Sequence, residues 1–220
     1  MAHKTLVNGT SYDITGGKTL VSGTAYSIKG GKTLVGGTGY DISFAPPELI
    51  VYQSYGGNYG ASVLEGVIRF RVFRQATNGN ESWSDTNANA INKIDRLPFD
   101  AISNAIIMKA SYNALMGKYF PVAWIGPIDL TRYSELHIDA RREDVNRYSI
   151  IHVGCSSDTN DNLAFQEEMS IFSSSLSTTS SETNTLNISD VTGEMYIKID
   201  VWTTGNSSGE EIYITKIWLT

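Results

Sequence analysis

The sequence predicts an almost wholly β protein, in which three tandem N-terminal β-hairpin repeats precede a jelly-roll-like β-sandwich. Three observations carry that expectation. The segment from Lys4 to Gly17 recurs as 18–31 and, truncated, as 32–44. From about residue 101 onward, short alternating apolar runs follow one another at spacings that suit two packed sheets. Glycine is abundant, with 20 residues, Ser, Thr and Asn crowd the chain, and stretches without Gly or Pro that could hold helices are scarce.

Each repeat follows K-T-L-V-x-G-T-x-Y-x-I-x-G-G. A β-prone Thr-Leu-Val run leads into Asn8-Gly9, Ser22-Gly23 or Gly36-Gly37, pairs that supply the positive φ of a primed hairpin turn. An alternating run follows, with Tyr12/Ile14, Tyr26/Ile28 and Tyr40/Ile42 on one face. An isolated two-stranded ribbon is marginal in water, so the repeats need partners. Two arrangements satisfy that need: a meander capping the chain's own sandwich, or assembly with other copies through Leu6, Tyr12, Ile14, Leu20, Tyr26, Ile28, Leu34, Tyr40 and Ile42.

The K-T-L-V-N-G-T-x-Y-x-I wording at the N-terminus, followed by a Ser/Thr/Asn-rich β domain, resembles minor structural proteins of phages and prophages of Gram-positive bacteria, of tail, fibre or head-decoration type. The resemblance implies a non-enzymatic virion component, made in the host cytoplasm and displayed on the particle, whose residues 1–44 bind copies of itself and other virion proteins. The 14-residue period is also similar to the units of triple β-spirals in viral fibre shafts, which implies a homotrimer. The ending, from Gly193 to Ile199 and from Ile212 to Leu219, resembles the closing strand pair of galactose-binding-like jelly rolls.

Ala45-Pro46-Pro47 breaks the repeat, because consecutive prolines deny ladder donors. Residues 45–100 then read as a linker and first β-strands with long loops, and 101–220 as the sandwich. In 67–73, Ile68, Phe70 and Val72 alternate inward with Arg69 and Arg71 outward. The polar run 75–90 reads as a long loop containing Trp83. Strands are expected at 106–110, 123–125, 135–140, 148–155, 169–172, 185–188, 195–202 and 212–219; 99–108 is the best candidate for a short helix.

A net charge of -6 argues against a nucleic-acid clamp, which needs clustered Lys and Arg. The charge is uneven: residues 1–44 carry four Lys against two Asp, and 156–220 two Lys against ten acids. No apolar run approaches a membrane span, and Met1-Ala2-His3-Lys4 leads into the first repeat without a signal-peptide core. Cys155 has no intrachain partner and sits in an apolar run, as a buried hydrophobe does.

His3, His137 and His152 lack paired metal spacing. Asp158-Thr159-Asn160-Asp161-Asn162 imitates a calcium loop, but Leu163 stands at the glycine position and Met169 at the closing glutamate position. Adjacent carboxylates such as Glu143-Asp144, Glu167-Glu168 and Glu210-Glu211 point to opposite faces of a strand and cannot flank one sugar bond. Arg141-Arg142 reads as a solvated strand end with local ion pairs. Neither a cofactor nor a metal is expected, and the chain reads as a non-enzyme.

Aromatics are the chemistry-bearing class in supply, with four Trp and twelve Tyr. Pyranose C–H faces pack on exposed rings, so the alternative function is a carbohydrate-binding module for host cell-wall glycan, with a glycan-cleaving enzyme as a third. Tyr55, Tyr59 and Trp83, beside glycine-rich turns, are the candidates for contact with a glycan or a neighbouring subunit. Trp202 also falls near a loop or an outward face, whereas core packing explains Trp124 and Trp218 equally well.

Overall fold

The computed structural model describes residues 48–54, 62–63, 67–97, 100–143, 147–157, 163–203 and 206–220, together with the backbone of short strands between residues 3 and 43. The chain divides into two compact units, Met1–Pro47 and Glu48–Thr220.

In the first unit β1 (His3–Val7) pairs with β2 (Thr10–Ile14), β3 (Gly17–Val21) with β4 (Thr24–Ile28), and β5 (Gly30–Val35) with β6 (Thr38–Ser43). Each pair is antiparallel and closes on Val7–Thr10, Val21–Thr24 or Val35–Thr38, two residues apart, as a hairpin with a two-residue turn does. The register sets Tyr12 opposite Thr5 and Ile14 opposite His3, while Leu6 faces Ser11, so the Leu and Tyr positions alternate along the ribbon. The side chains of Leu6, Tyr12, Ile14, Leu20, Tyr26, Ile28, Leu34, Tyr40 and Ile42 lie outside the described residues.

The second unit opens with β7 (Leu49–Gln53), β8 (Ser62–Val63), β9 (Val67–Gln75), β10 (Glu81–Ser84), β11 (Ile91–Leu97), β12 (Asp100–Lys109) and β13 (Ser111–Asn113). It continues with β14 (Gly117–Asp129), β15 (Glu135–Arg142), β16 (Ser149–Ser156), β17 (Glu167–Phe172), β18 (Glu182–Asn187), β19 (Glu194–Thr203) and β20 (Ile212–Leu219). They form two seven-stranded antiparallel sheets. The front sheet runs β10-β9-β14-β19-β16-β17, with β13 on β14; the back sheet runs β11-β12-β20-β15-β18, with β7 on β20 and β8 on β7. Strands from residues 48–97 thus enter both sheets, and the sandwich begins at β7.

Alternation explains the layering. In β19, Ile197, Ile199 and Val201 are fully buried in the core, and Lys198, Asp200 and Trp202 occupy the other face. In β16, Ile151, Val153 and Cys155 turn inward, and burial pushes the Cys155 thiol up to about 12. From the back sheet come Ile106, Met108, Leu136, Ile138, Ile212, Ile214, Ile217 and Leu219. Along β20 the apolar period breaks between Ile214 and Ile217. A bulge absorbs the extra residue: Ala140 faces Ile214 but Asp139 faces Lys216, so Ile217 and Leu219 return to the core side.

Four sequence expectations are corrected here. The helix expected over 99–108 is strand β12, whose Ile106 and Met108 pair with Ile214 and Ile212; an apolar run is periodic enough for either structure, and sheet pairing decides. The loop expected over 75–90 contains strand β10, with Trp83 opposite Phe73. The expected closing strand pair is split, since β19 belongs to the front sheet and β20 to the back. At the Arg141-Arg142 pair, Arg142 reaches the fully buried Glu210 at 3.1 Å, a long-range ion pair rather than a local solvated one.

Candidate functional site

The outward face of the front sheet differs from an ordinary solvated face. Register sets one row of apolar side chains across six strands: Trp83 on β10, Phe73 on β9, Phe120 on β14, Trp202 on β19, Ile150 on β16 and Phe172 on β17. Trp83 faces Phe73, Phe73 faces Phe120, and Ile150 faces both Trp202 and Phe172. The rings touch. Phe73 lies 5.1 Å from Trp83 and 6.1 Å from Phe120 between centroids, and Phe120 and Trp202 stack at 4.1 Å. Trp83 also meets Trp124 at 5.8 Å. Five strand spacings make the row on the order of 24 Å long.

Exposure grades along the row. Phe73 and Phe120 are buried under their neighbours, Trp83, Trp202 and Ile150 are half-buried, and Phe172 is 58% exposed at the sheet edge, with Tyr148 at 59% just before β16. Buried rings therefore anchor half-buried ones, a geometry that holds a ring face in place at little entropic cost.

The next two rows mix polar with apolar positions. Arg71, Val122, Asp200, His152 and Ser170 form the first, and Arg69, Trp124, Lys198, Gly154 and Glu168 the second. Arg71 pairs with Asp85 at 2.9 Å and lies over Trp83. His152 donates through Nδ1 to Oδ1 of the buried Asp200 at 2.6 Å, and its ring meets Trp202 edge-on at 5.9 Å. That bond holds the imidazole pKa above its usual value; burial opposes the shift, Glu168 adds to it and Lys198 subtracts. Lys198 is fully buried beneath residues 163–165. Its ammonium donates to the Ala164 carbonyl at 3.2 Å and sits 4.1 Å from the Phe165 ring centroid. The indole N–H groups of Trp124 and Trp202 are buried and have no hydrogen-bond partner among the described residues.

Of the residues singled out from sequence, Trp83 is in this face, on a strand rather than a loop; Tyr55 and Tyr59 lie outside the described residues, as does the calcium-like segment 158–162. Trp202 is half-buried on the outward face, whereas Trp124, on the same side of β14, is fully buried and packs as a core residue. Trp218 lies on the back sheet, stacked on His137 at 4.9 Å with the Lys216 ammonium 4.2 Å from its centroid. Sequence reading missed Phe73, Phe120, Ile150 and Phe172. For Phe73, Ile150 and Phe172 the signal was present as apolar residues at the outward positions of their strands; Phe120 lies in β14, which is apolar on both faces and gives no such signal. Among the described residues no cluster of three His, Cys, Asp or Glu side chains could hold a metal ion.

Comparison with known proteins gives distant structural likenesses. No family model and no curated protein matches the sequence. A family 11 carbohydrate-binding module from Clostridium thermocellum, solved with a β-1,3-1,4-mixed-linked tetrasaccharide, is similar over 78% of this chain and 94% of its own, at 13% identity and TM-score 0.44. A family 28 module specific for non-crystalline cellulose is similar over 58% of this chain and 79% of its own, at 11% identity and TM-score 0.41. The K2 cleaved adhesin domain of Lys-gingipain is similar over 69% of this chain and 90% of its own, at 13% identity and TM-score 0.39.

Proposed function

We propose that the protein is a non-catalytic glycan-binding module whose binding surface is the outward face of the front sheet. The carrying observation is the apolar row from Trp83 to Phe172, flanked by rows that include the hydrogen-bonding side chains Arg71, His152, Ser170 and Glu168. Sugars are amphipathic in the same sense: C–H faces pack on rings, and equatorial hydroxyls in the ring plane need donors and acceptors beside them. A row this long suits a linear oligosaccharide better than a single sugar.

The N-terminal hairpins serve, in this reading, to tether or oligomerise the module. The phage-type repeat wording favours a virion as the particle that carries it, with host cell-wall glycan as the ligand. Each hairpin is a two-stranded sheet of its own, which is the kind of unit that gains stability from a partner surface.

The test is a glycan array with the full chain, followed by affinity measurements on the best ligand with Phe172→Ala and Trp202→Ala. Phe172 is mostly exposed, so its loss leaves the fold intact. Each variant is expected to weaken binding about tenfold, equivalent to ~1.4 kcal/mol for a lost ring contact. Unchanged affinity in both variants, or no glycan bound, overturns the proposal.

A further inference from the structure

We infer that His152 sets the charge preference of the glycan face: as neutral imidazole it accepts from a sugar hydroxyl through Nε2, and as imidazolium it donates to a sugar carboxylate. The inference rests on the glycan-binding reading and deepens it by naming the ligand classes, neutral glycans at higher pH and uronic-acid glycans at lower pH.

Geometry fixes the ring. Nδ1 is committed to Asp200 at 2.6 Å, and Asp200 is itself buried and ordered by its place in the centre of β19. A buried carboxylate with this one charge-assisted partner holds the proton on Nδ1, which leaves Nε2 as a lone-pair acceptor in the neutral ring. The edge-on contact with Trp202 keeps the ring from turning over. The histidine side chain is 22% accessible, and among the described residues none hydrogen-bonds to its Nε2. As a lone pair Nε2 accepts from a hydroxyl; protonated, the same nitrogen donates to a carboxylate oxygen.

The charges around His152 leave room for the switch. Asp200 and Lys198 face it from β19, and Glu168 from β17; Arg71, three strands away on β9, is paired with Asp85. The hydrogen bond to Asp200 and the field of Glu168 raise the imidazole pKa from its ordinary 6.5, so the imidazolium persists above that pH.

The experiment uses the full chain with cellohexaose and the same hexasaccharide oxidised at C6 to its uronate form, at pH 5.5 and pH 8.5. The ratio of acidic to neutral affinity is expected to rise about tenfold at the lower pH, the worth of one charge-assisted hydrogen bond. His152→Gln, which cannot titrate, is expected to abolish that change. Nitrogen-15 NMR of the wild-type imidazole is expected to show the Nδ1–H tautomer at high pH. A ratio independent of pH while the glycans bind, or an Nε2–H tautomer, overturns the inference and leaves the glycan-binding reading standing. Binding of neither sugar at either pH removes that reading, and the inference with it.

Discussion

His152 and Asp200 show how one hydrogen bond serves both the face and the fold. The bond raises the imidazole pKa above 6.5, so the protonated form is favoured in the folded chain. A histidine with a raised pKa contributes stability that is fully present below the unfolded value and is lost as pH rises through the folded value. Wild type is therefore expected to lose stability relative to His152→Gln as pH climbs from the ordinary imidazole value of 6.5 upward through the raised folded-state value. Urea titrations of both proteins check this, and a difference that stays constant or grows with pH contradicts it. The alternation Lys198, Asp200, Trp202 against Ile197, Ile199, Val201 was legible in the sequence, and so was an outward position for Trp202. The partnership with His152 was not, because it depends on the register between β16 and β19, which alternation within a strand does not encode.

Strands that looked unambiguous in the sequence were those with regular alternation, β15, β16 and β19, and they, like the bulged β20, fall within a few residues of the expected segments. The errors have physical causes. β10 is four residues long amid Ser, Asn and Asp, so local propensity favoured a loop, and pairing with β9 overrode it. β12 contains a dense apolar run that suits helix or strand. The front-sheet row was invisible because it crosses strands, and each strand contributes one residue to it. Gly154 marks where this face is tightest: a Cβ there would meet the Glu167 carbonyl at 1.9 Å and the Glu168 Cα at 2.8 Å. Both are backbone atoms of β17, which no side-chain rotation can relieve. Gly154→Ala is expected to push β17 away, to cost about 1–3 kcal/mol, and to weaken glycan binding by displacing Phe172. Chemical denaturation measures the first effect, and a loss under about 0.5 kcal/mol would show that β17 yields freely.

The molecule as a whole sorts its four tryptophans by surface. Trp83, Trp202 and the fully buried Trp124 lie on the outward side of the front sheet, and Trp218 on that of the back sheet under Lys216. The N-terminal hairpins belong to one compact unit, Met1–Pro47, and the sandwich completes its own core from Glu48 onward. This distribution gives the glycan-binding face an internal control. Indole N–H resonances in a proton–nitrogen NMR spectrum of the full chain, followed as the best array glycan is added, report on each tryptophan separately. The proposed face predicts that Trp83, Trp124 and Trp202 shift with a common dissociation constant while Trp218 stays in place. A saturable shift of Trp218 with the other three unmoved would place the ligand on the back sheet and contradict it.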